Sequence, residues 1–440
     1  MTVVRVKASD RLESPTWGTA LLAFVVAGNI LLWVVAHPAD QPWGRYVGEI
    51  VGVQAVLLFS CSLVLATLLP VVERAFDGLD RVARWHRYTA VTGVILMLGH
   101  PTLAGLTPVP DVSQVGLKLG SLAMLGLVLL SIWALAPSLK AARWSRIIRH
   151  LASLSHERWL TGHRLTGLFV VAAVVHGAWV DPVLAVSPVL KVTYLLIGTV
   201  GVAAYVYREL FARYVVPIYD YVVAEVQRPN DVTIDVFLEP DGRALTFEPG
   251  QFIFLAFGGT NGWERHPFTV ASAPSRGRVE VSIRALGDYT RDLRNNLQPG
   301  TPAKIAGPFG AFDFRRGGQQ QIWIAGGVGI TPFISWIRSL PEDFDRDVAF
   351  YYSVNHASEA LYLDEITAAA QAHPSLRPHL VDSSVDGYVT ADLAIADTAD
   401  PSRASVYMCG PPAMMTAMAD GFQHHGIPRS QIRWEQFSVR

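Results

Sequence analysis

Four histidines stand out for their spacing. His86 and His100 are 14 residues apart and His163 and His176 are 13 apart, each pair enclosing an apolar run, RYTAVTGVILMLG in one and RLTGLFVVAAVV in the other. At ~1.5 Å of rise per residue, each pair spans roughly 20 Å of helix. That sets one imidazole toward each side of a hydrocarbon core ~30 Å thick. Ionisable side chains at such depth are costly and usually functional. Imidazole is a haem ligand, so two helices with histidines at two levels suit two stacked bis-histidine haems, a path for electrons across a bilayer. A lone membrane histidine also serves as a hydrogen-bond partner between helices; four at matched levels favour ligation. Arg87 and Arg164 follow the first histidine of each pair and suit either haem propionates or a cytoplasmic membrane boundary. Geometry counts against one pair. Fourteen residues return to within ~40° of the starting face of a straight helix, whereas thirteen fall ~140° away. The second helix must bend or unwind between His163 and His176, where Gly162, Gly167 and Gly177 offer weak support.

The elements that would position these residues are apolar segments. Six are long enough to span a bilayer, at roughly 17–36, 47–69, 86–106, 115–136, 160–180 and 190–210. Hydrophobic residues make up 51% of the 440 and the mean hydropathy is +0.29, but the enrichment is confined to the first half. The first segment lacks a small-residue cleavage site and reads as a retained anchor rather than a signal peptide. Loops at 70–85 and 137–159 carry Arg74, Arg81, Arg84, Lys140, Arg143, Arg146, Arg149 and Arg158, whereas 37–46, 107–114 and 181–189 carry only Arg45. Basic loops stay cytoplasmic, so a cell-membrane protein with both termini inside is expected. His86 then pairs with His163 on the inner side, and His100 with His176 on the outer side. A net charge of −1 argues against nucleic acid as a partner. Two cysteines, Cys61 and Cys409, exclude a disulfide framework or a cysteine metal site.

The pattern changes after residue 216. YVVAEV, VTIDVFLE, FIFLAF, HPFTVAS and RVEVSIRA read as short strands broken by Pro229-Asn230-Asp231, Pro240-Asp241-Gly242 and Pro249-Gly250-Gln251. Such punctuation predicts a small antiparallel barrel. From about 316 strand-then-helix units follow, which predict a parallel sheet wound on both faces. The expected architecture is a membrane α-helical bundle of six helices over 1–213, a β-barrel over 217–315 and an α/β domain over 316–440. In the last, Gly326-Gly327-Val328-Gly329-Ile330-Thr331-Pro332 follows an apolar strand and opens a helix. Glycines there let backbone N–H groups approach a pyrophosphate at a helix N-terminus. A tight turn without a ligand would look the same.

Taken together and in this order, these features resemble the NADPH oxidase and ferric reductase family of transmembrane flavocytochromes, of bacterial type, over about 15–440. The resemblance implies a six-helix domain with two haem b groups joined to a ferredoxin-reductase-like module for FAD and NADPH or NADH. It implies haem iron on His86, His163, His100 and His176, and Phe169 as an aromatic between the haems. Arg265-His266-Pro267-Phe268-Thr269 is similar to the flavin motif, with Thr269 near the isoalloxazine. Arg284 with Asp288, Tyr289 and Thr290 resembles the segment that holds the FAD pyrophosphate, an arginine fork suiting a diphosphate. Gly307-Pro308-Phe309-Gly310 is similar to the turn between the two subdomains. Gly326, Gly327, Gly329 and Thr331 match the dinucleotide phosphate loop; Cys409, Gly410 and Pro411 match the element beside the nicotinamide; Phe437 matches the aromatic that covers the flavin.

Two departures limit the likeness. Asn355-His356 follow Tyr352-Ser353-Val354 where relatives often carry an arginine for the 2′-phosphate, so NADPH against NADH stays open, with His356, Ser383 and Ser384 as candidate contacts. Ala104 stands where animal oxidases have a histidine, and Arg45 suits either an oxygen site or a flanking interfacial charge. No calcium-loop signature precedes the first helix. What the resemblance implies is electron flow from cytoplasmic NAD(P)H through FAD and two haems to a small external acceptor, dioxygen giving superoxide foremost, or a ferric chelate. Two other readings compete: a membrane-anchored flavin reductase with structural histidines, and a transporter with a regulatory nucleotide domain.

Overall fold

The computed structural model describes residues 16–39, 41–105, 113–135, 156–211, 217–259, 263–274, 277–398 and 400–435. The chain forms two compact units that part at Val215 and Val216.

The first unit is helical. Its helices are α1 (Trp17–Val35), α2 (Trp43–Leu65), α3 (Pro70–Phe76), α4 (Leu79–Ala104), α5 (Gln114–Leu135), α6 (His156–Arg164), α7 (Thr166–Val180), α8 (Pro182–Val186) and α9 (Pro188–Val206), the last running into a π-helical turn, Tyr207–Phe211. Thr16 caps α1 in a reciprocal box with Thr19. Asp181 caps α8, its carboxylate accepting from Val183 N (2.8 Å) and Leu184 N (3.3 Å). Five of the described helical stretches are long and apolar enough to cross a membrane: Trp17–Val35, Trp43–Leu65, Gln114–Leu135, Trp159–Val180 and Pro188–Phe211. The sixth expected segment, 86–106, overlaps α4 up to Ala104. That helix has 26 residues, but Arg87, His100 and Pro101 dilute its apolar stretch. Helix α4 also begins seven residues before the expected 86, absorbing Arg81 and Arg84 from what the sequence suggested was a loop (86 − 79 = 7). Hydropathy marks where a membrane ends, not where a helix does.

Helix α2 is the centre of this unit, with Val53, Ala55, Val56 and Phe59 buried among Leu127, Val170, Val174 and Tyr194. The awkward 13-residue spacing has a structural answer. The helix tightens at Leu165, between α6 and α7, without leaving the right-handed helical region (φ −61, ψ −18). There Leu165 N reaches back only three residues to Gly162 O (3.2 Å), and Thr166 Oγ1 donates to His163 O (2.5 Å). Three-residue bonds tighten a turn and shift its rotational phase.

The second unit holds two sheets. Strands β1 (Ile218–Asn230), β2 (Thr233–Pro240), β3 (Phe252–Phe257), β4 (His266–Thr269), β5 (Val279–Arg284) and β6 (Pro302–Phe309) form one antiparallel sheet in the order β4-β3-β6-β1-β2-β5. Ala271 N, just past β4, donates to Glu280 O on β5 (2.8 Å) and joins the two edges as the expected barrel requires. Alternating residues fill it, among them Tyr221, Val223, Ile234, Val236, Ile253, Leu255, Val281 and Ile283. Strand β1 runs on through Pro229 and Asn230, which the sequence suggested as turn, and the bend falls at residues 231–232.

Strands β7 (Gln320–Gly326), β8 (Asp347–Val354), β9 (Leu376–Asp382), β10 (Ser405–Cys409) and β11 (Ile432–Glu435) form a parallel sheet ordered β11-β10-β7-β8-β9. Its faces are covered by α11 (Thr331–Ile337), α12 (Leu363–Ala372), α13 (Ala391–Ala396) and α14 (Pro412–His424), while α10 (Asp288–Asn296) follows β5 of the barrel. The strand order reverses between β7 and β10, and in open α/β sheets ligands bind outside the carboxyl ends of the strands at that point.

Barrel and parallel sheet are tied together by polar contacts. Trp336 Nε1 donates to Pro249 O (3.2 Å) and Ser335 Oγ to Ser272 O (2.9 Å). Arg338 donates to Ala271 O (3.1 Å) and to Glu280 Oε2 (2.6 Å). The Tyr362 hydroxyl meets Asp235 Oδ1 (3.2 Å), Glu280 Oε1 (3.0 Å) and Ser282 Oγ (2.5 Å). Burial raises the Asp235 carboxyl above the usual carboxylate range and the Tyr362 phenol well above its own.

Candidate functional site

In the helical unit the four histidines form the two expected pairs. The rings of His86 and His163 have centres 6.1 Å apart and lie perpendicular, at 88°. Those of His100 and His176 are 6.4 Å apart at 77°. Three of the four are oriented by the backbone. His100 Nδ1 contacts Gly48 O (2.9 Å), His176 Nδ1 contacts Gly116 O (2.8 Å), and His86 Nδ1 contacts Ser62 O (3.0 Å). A carbonyl only accepts, so Nδ1 carries the proton and Nε2 keeps its lone pair. That tautomer is the one a metal-binding imidazole uses, with its second nitrogen anchored to a carbonyl. His163 differs: its Nδ1 is buried without a partner and its ring stacks on Trp159, centres 5.5 Å apart. Among the described residues no three or more His, Cys, Asp or Glu cluster as a metal site; these histidines come in twos.

Glycines that sequence reasoning passed over hold this arrangement open. On α2, Gly48 supplies the carbonyl, and a Cβ on Gly52 would lie 2.6 Å from His100 Nδ1. On α5, Gly116 supplies the carbonyl, and a Cβ on Gly120 would lie 2.6 Å from the His176 ring. The two glycine pairs share one offset (116 − 48 = 68 and 120 − 52 = 68). A second match lies between the histidine levels: Phe59 packs on Gly93, and Phe169 packs on Gly126. Phe169 thus packs against a neighbouring helix at this level, with Phe59 as an unforeseen counterpart. The signal was present as glycines four apart on helices, a spacing that lets helices approach closely.

The flanking arginines differ in setting. Arg87 is exposed, and Arg164 approaches Glu209 at 3.9 Å. Arg45 pairs with Glu49 at 3.3 Å, their side chains 11% and 7% exposed. It is a tucked-in ion pair within the first turns of α2.

In the second unit the flavin motif lines β4 and the start of α10. The His266 ring stacks on Tyr289, centres 3.9 Å apart, and His266 Nε2 lies 3.1 Å from Glu264. Pro267 and Phe268 are half-buried and Arg265 is exposed. Thr269 is buried, and its hydroxyl makes no hydrogen bond. A buried unpaired hydroxyl is costly in a folded chain and is what a hydrogen-bonded ligand would satisfy. Thr290 Oγ1 accepts from Leu286 N and Gly287 N (both 3.0 Å), ordering the turn before α10, while the Asp288 carboxylate points to solvent. Arg284 reaches further than the sequence suggested. Its guanidinium pairs with Glu359 Oε2 at 2.8 Å and lies 3.0 Å from where a Cβ on Gly327 would be, so it reaches the dinucleotide loop.

That loop is built by close approach. Gly327 has φ +54, open to glycine at little strain. A Cβ on Gly326 would sit 2.8 Å from Pro411 Cδ and Met414 Sδ, and one on Gly329 would overlap the Cys409 carbonyl. The loop is thus pressed against Cys409-Gly410-Pro411 at the carboxyl ends of β7 and β10. Thr331 Oγ1 donates to Val328 O (3.1 Å). Cys409 is 1% exposed at the end of β10. Phe437 lies outside the described residues.

The second unit matches the two domains of an FAD- and NAD-binding oxidoreductase. Residues 218–322 match an FAD-binding domain family, and residues 323–420 match an oxidoreductase NAD-binding domain family. The chain is similar to the reductase component of propane 2-monooxygenase from Rhodococcus jostii (strain RHA1), 32% identical over 246 residues that cover 51% of this chain and 65% of that protein. It is also similar to the electron transfer component of toluate 1,2-dioxygenase from Pseudomonas putida, 25% identical over 231 residues, 50% of this chain and 68% of that one. Among solved structures, an Amycolatopsis cytochrome P450 reductase aligns over 50% of this chain and 70% of its own, with 26% identity and a TM-score of 0.44. The chain thus spans just under two thirds of the propane 2-monooxygenase reductase, and the matches cover about half of its own length.

Proposed function

We propose that this protein carries electrons from cytoplasmic NAD(P)H, through FAD and two bis-histidine haem b groups, to an acceptor on the far side of a bilayer, with dioxygen reduced to superoxide as the leading case. The observation that carries the reading is the pair of imidazole pairs. Two imidazoles on opposite sides of one metal, each bonded at about 2 Å, have ring centres roughly 6 Å apart. The measured 6.1 and 6.4 Å fit that arrangement, as do the backbone-anchored Nδ1 atoms. The reductase module accounts for an electron source, and the apolar helices for a bilayer.

When bound, haem supplies one-electron redox chemistry, and FAD couples it to the two-electron chemistry of a nicotinamide. The protein's own tasks are positional. His86 and His163 hold the inner site, and His100 and His176 the outer. Gly48 O, Gly116 O and Ser62 O fix three of the rings; Gly52 and Gly120 leave them room. In the module, the Thr269 hydroxyl is available to a flavin ring nitrogen or carbonyl. His266 and Tyr289 form a flat wall, and the glycine loop offers backbone N–H groups to a pyrophosphate. Cys409 is buried at that end of the sheet, and Gly410 and Pro411 press against the glycine loop.

A ferric chelate as acceptor would use the same path. The test is a reduced-minus-oxidised absorption spectrum of the purified full chain. Bis-imidazole haem bands that NAD(P)H reduces are expected. A protein that reduces FAD yet binds no haem would instead be a flavin reductase with a helical anchor.

A further inference from the structure

We infer that the dinucleotide site is built for NADH and discriminates against NADPH, with Asp382 as the residue that reads the adenosine ribose. The inference rests on the proposal above that the module oxidises a nicotinamide dinucleotide, and it names which one. The two dinucleotides differ only in a 2′-phosphate on that ribose. In doubly wound folds a carboxylate that accepts from the ribose 2′-hydroxyl selects the unphosphorylated form, while a nearby arginine accommodates the phosphate.

The carboxyl edge of the parallel sheet has the first character. Asp382 ends β9 and pairs in register with Val354, the last residue of β8. It therefore stands on the same sheet edge as the glycine loop after β7. Its carboxylate accepts from Ala357 N (2.7 Å), Ser384 N (3.0 Å) and Ser384 Oγ (2.6 Å). The Ser384 and Ala357 bonds hold it below the usual carboxylate range, so it is anionic at neutral pH. Asp386 adds a second carboxylate, accepting from Asp382 N (3.0 Å). Asn355 and His356, which follow β8, are exposed, and His356 Nδ1 contacts Ser384 Oγ (3.2 Å).

Among the described residues no lysine or arginine pairs with Asp382 or Asp386, and the base beside them is His356. Between Asp347 and Asp400 the sequence has one arginine, Arg377, and no lysine. Arg377 lies at the far end of β9, opposite Ala349, where it pairs with Asp347. Five residues of strand separate it from Asp382 (382 − 377 = 5), roughly 17 Å at the usual rise. Arg284 is engaged by Glu359 beside Gly327. A ribose hydroxyl would thus meet an acceptor, whereas a 2′-phosphate would meet like charge.

The test uses the FAD-loaded full chain and two readouts. Calorimetric titration with NAD⁺ and NADP⁺ should give tighter binding of NAD⁺ by about tenfold or more, and flavin reduction by NADH and NADPH should follow the same order. Asp382→Asn keeps an oxygen for Ala357 N but removes the charge, and should narrow the ratio. Asn355→Arg alters an exposed side chain, leaves the Asp382 bonds intact, and should narrow it further through tighter NADP⁺ binding. Equal or tighter NADP⁺ binding by the unaltered protein would overturn the inference, as would an unchanged ratio in both variants. Failure of either dinucleotide to bind or to reduce the flavin would instead count against the underlying reading of the module.

Discussion

Gly52 and Gly120 matter for the atom they lack. A methyl group on Gly52 would fall 2.6 Å from His100 Nδ1, and overpacking of this kind typically costs about 1–3 kcal/mol. The imidazole can yield only by breaking its bond to Gly48 O. Gly52→Ala is therefore expected to empty the outer site while sparing the inner one, so that haem per FAD falls from about two toward one. Extraction and quantitation of haem against flavin checks this, and an unchanged ratio would mean that the glycine gap does not govern the histidine. Thr269 makes the converse case. Its hydroxyl already lacks a partner, so Thr269→Val removes nothing the apo fold relies on. Thermal stability of the apoprotein should stay within about 1 kcal/mol or rise, while flavin reduction by NADH slows. A large loss of stability would show that the hydroxyl has a structural duty.

Elements set the limits within which those residues act. The tightened turn at Leu165 lets one helical span bring His163 and His176 onto one side despite a spacing that a straight helix forbids. Within the module, strands β2 and β5 meet Tyr362 at the head of α12 through Asp235, Glu280 and Ser282. This junction makes a pH-dependent prediction. The Asp235 carboxyl is raised by burial above its ordinary value of 3.8, so the folded state keeps a proton that the unfolded chain has lost. Stability must then fall as pH climbs from 3.8 through the raised value, and level off beyond it. Asp235→Asn, which still accepts from Ser282 and Tyr362, should remove that slope. Denaturation midpoints of wild type and variant measured across this range decide it: parallel curves would sink the assignment.

At the scale of the whole chain, the proposed function has the FAD- and NAD-binding unit and the apolar helical unit work as one conductor. Vesicles offer the direct measure. With the protein in proteoliposomes, NADH on the module's side should reduce a membrane-impermeant ferric chelate, or generate superoxide, on the other. His176→Leu removes an outer ligand without touching the module, and is expected to abolish reduction across the membrane while flavin reduction persists. Acceptor reduction that survives the substitution, or that appears only on the NADH side, would be that of an anchored reductase.

The sequence alone determined the broad division into apolar helices, barrel and parallel sheet, because each has its own period of burial and its own turn residues. It also singled out His86, His100, His163 and His176 and the glycine loop, since costly residues at fixed intervals are legible without coordinates. It did not reveal the tightened turn at Leu165, because a local change of hydrogen-bond spacing leaves no mark in hydropathy. Nor did it reveal what orients the imidazoles. Gly48 O, Gly116 O and Ser62 O are backbone atoms, common to every residue, and only the packing of α2 on α4 and of α5 on α7 brings them to Nδ1. The same holds for Asp382. As a letter it is one acid among many; only at the carboxyl edge of β9, among Ala357 N, Ser384 and His356, does it gain a neighbourhood from which a ligand preference can be argued. Chemical type is written locally, whereas direction and neighbourhood arise from contacts between residues far apart in the chain.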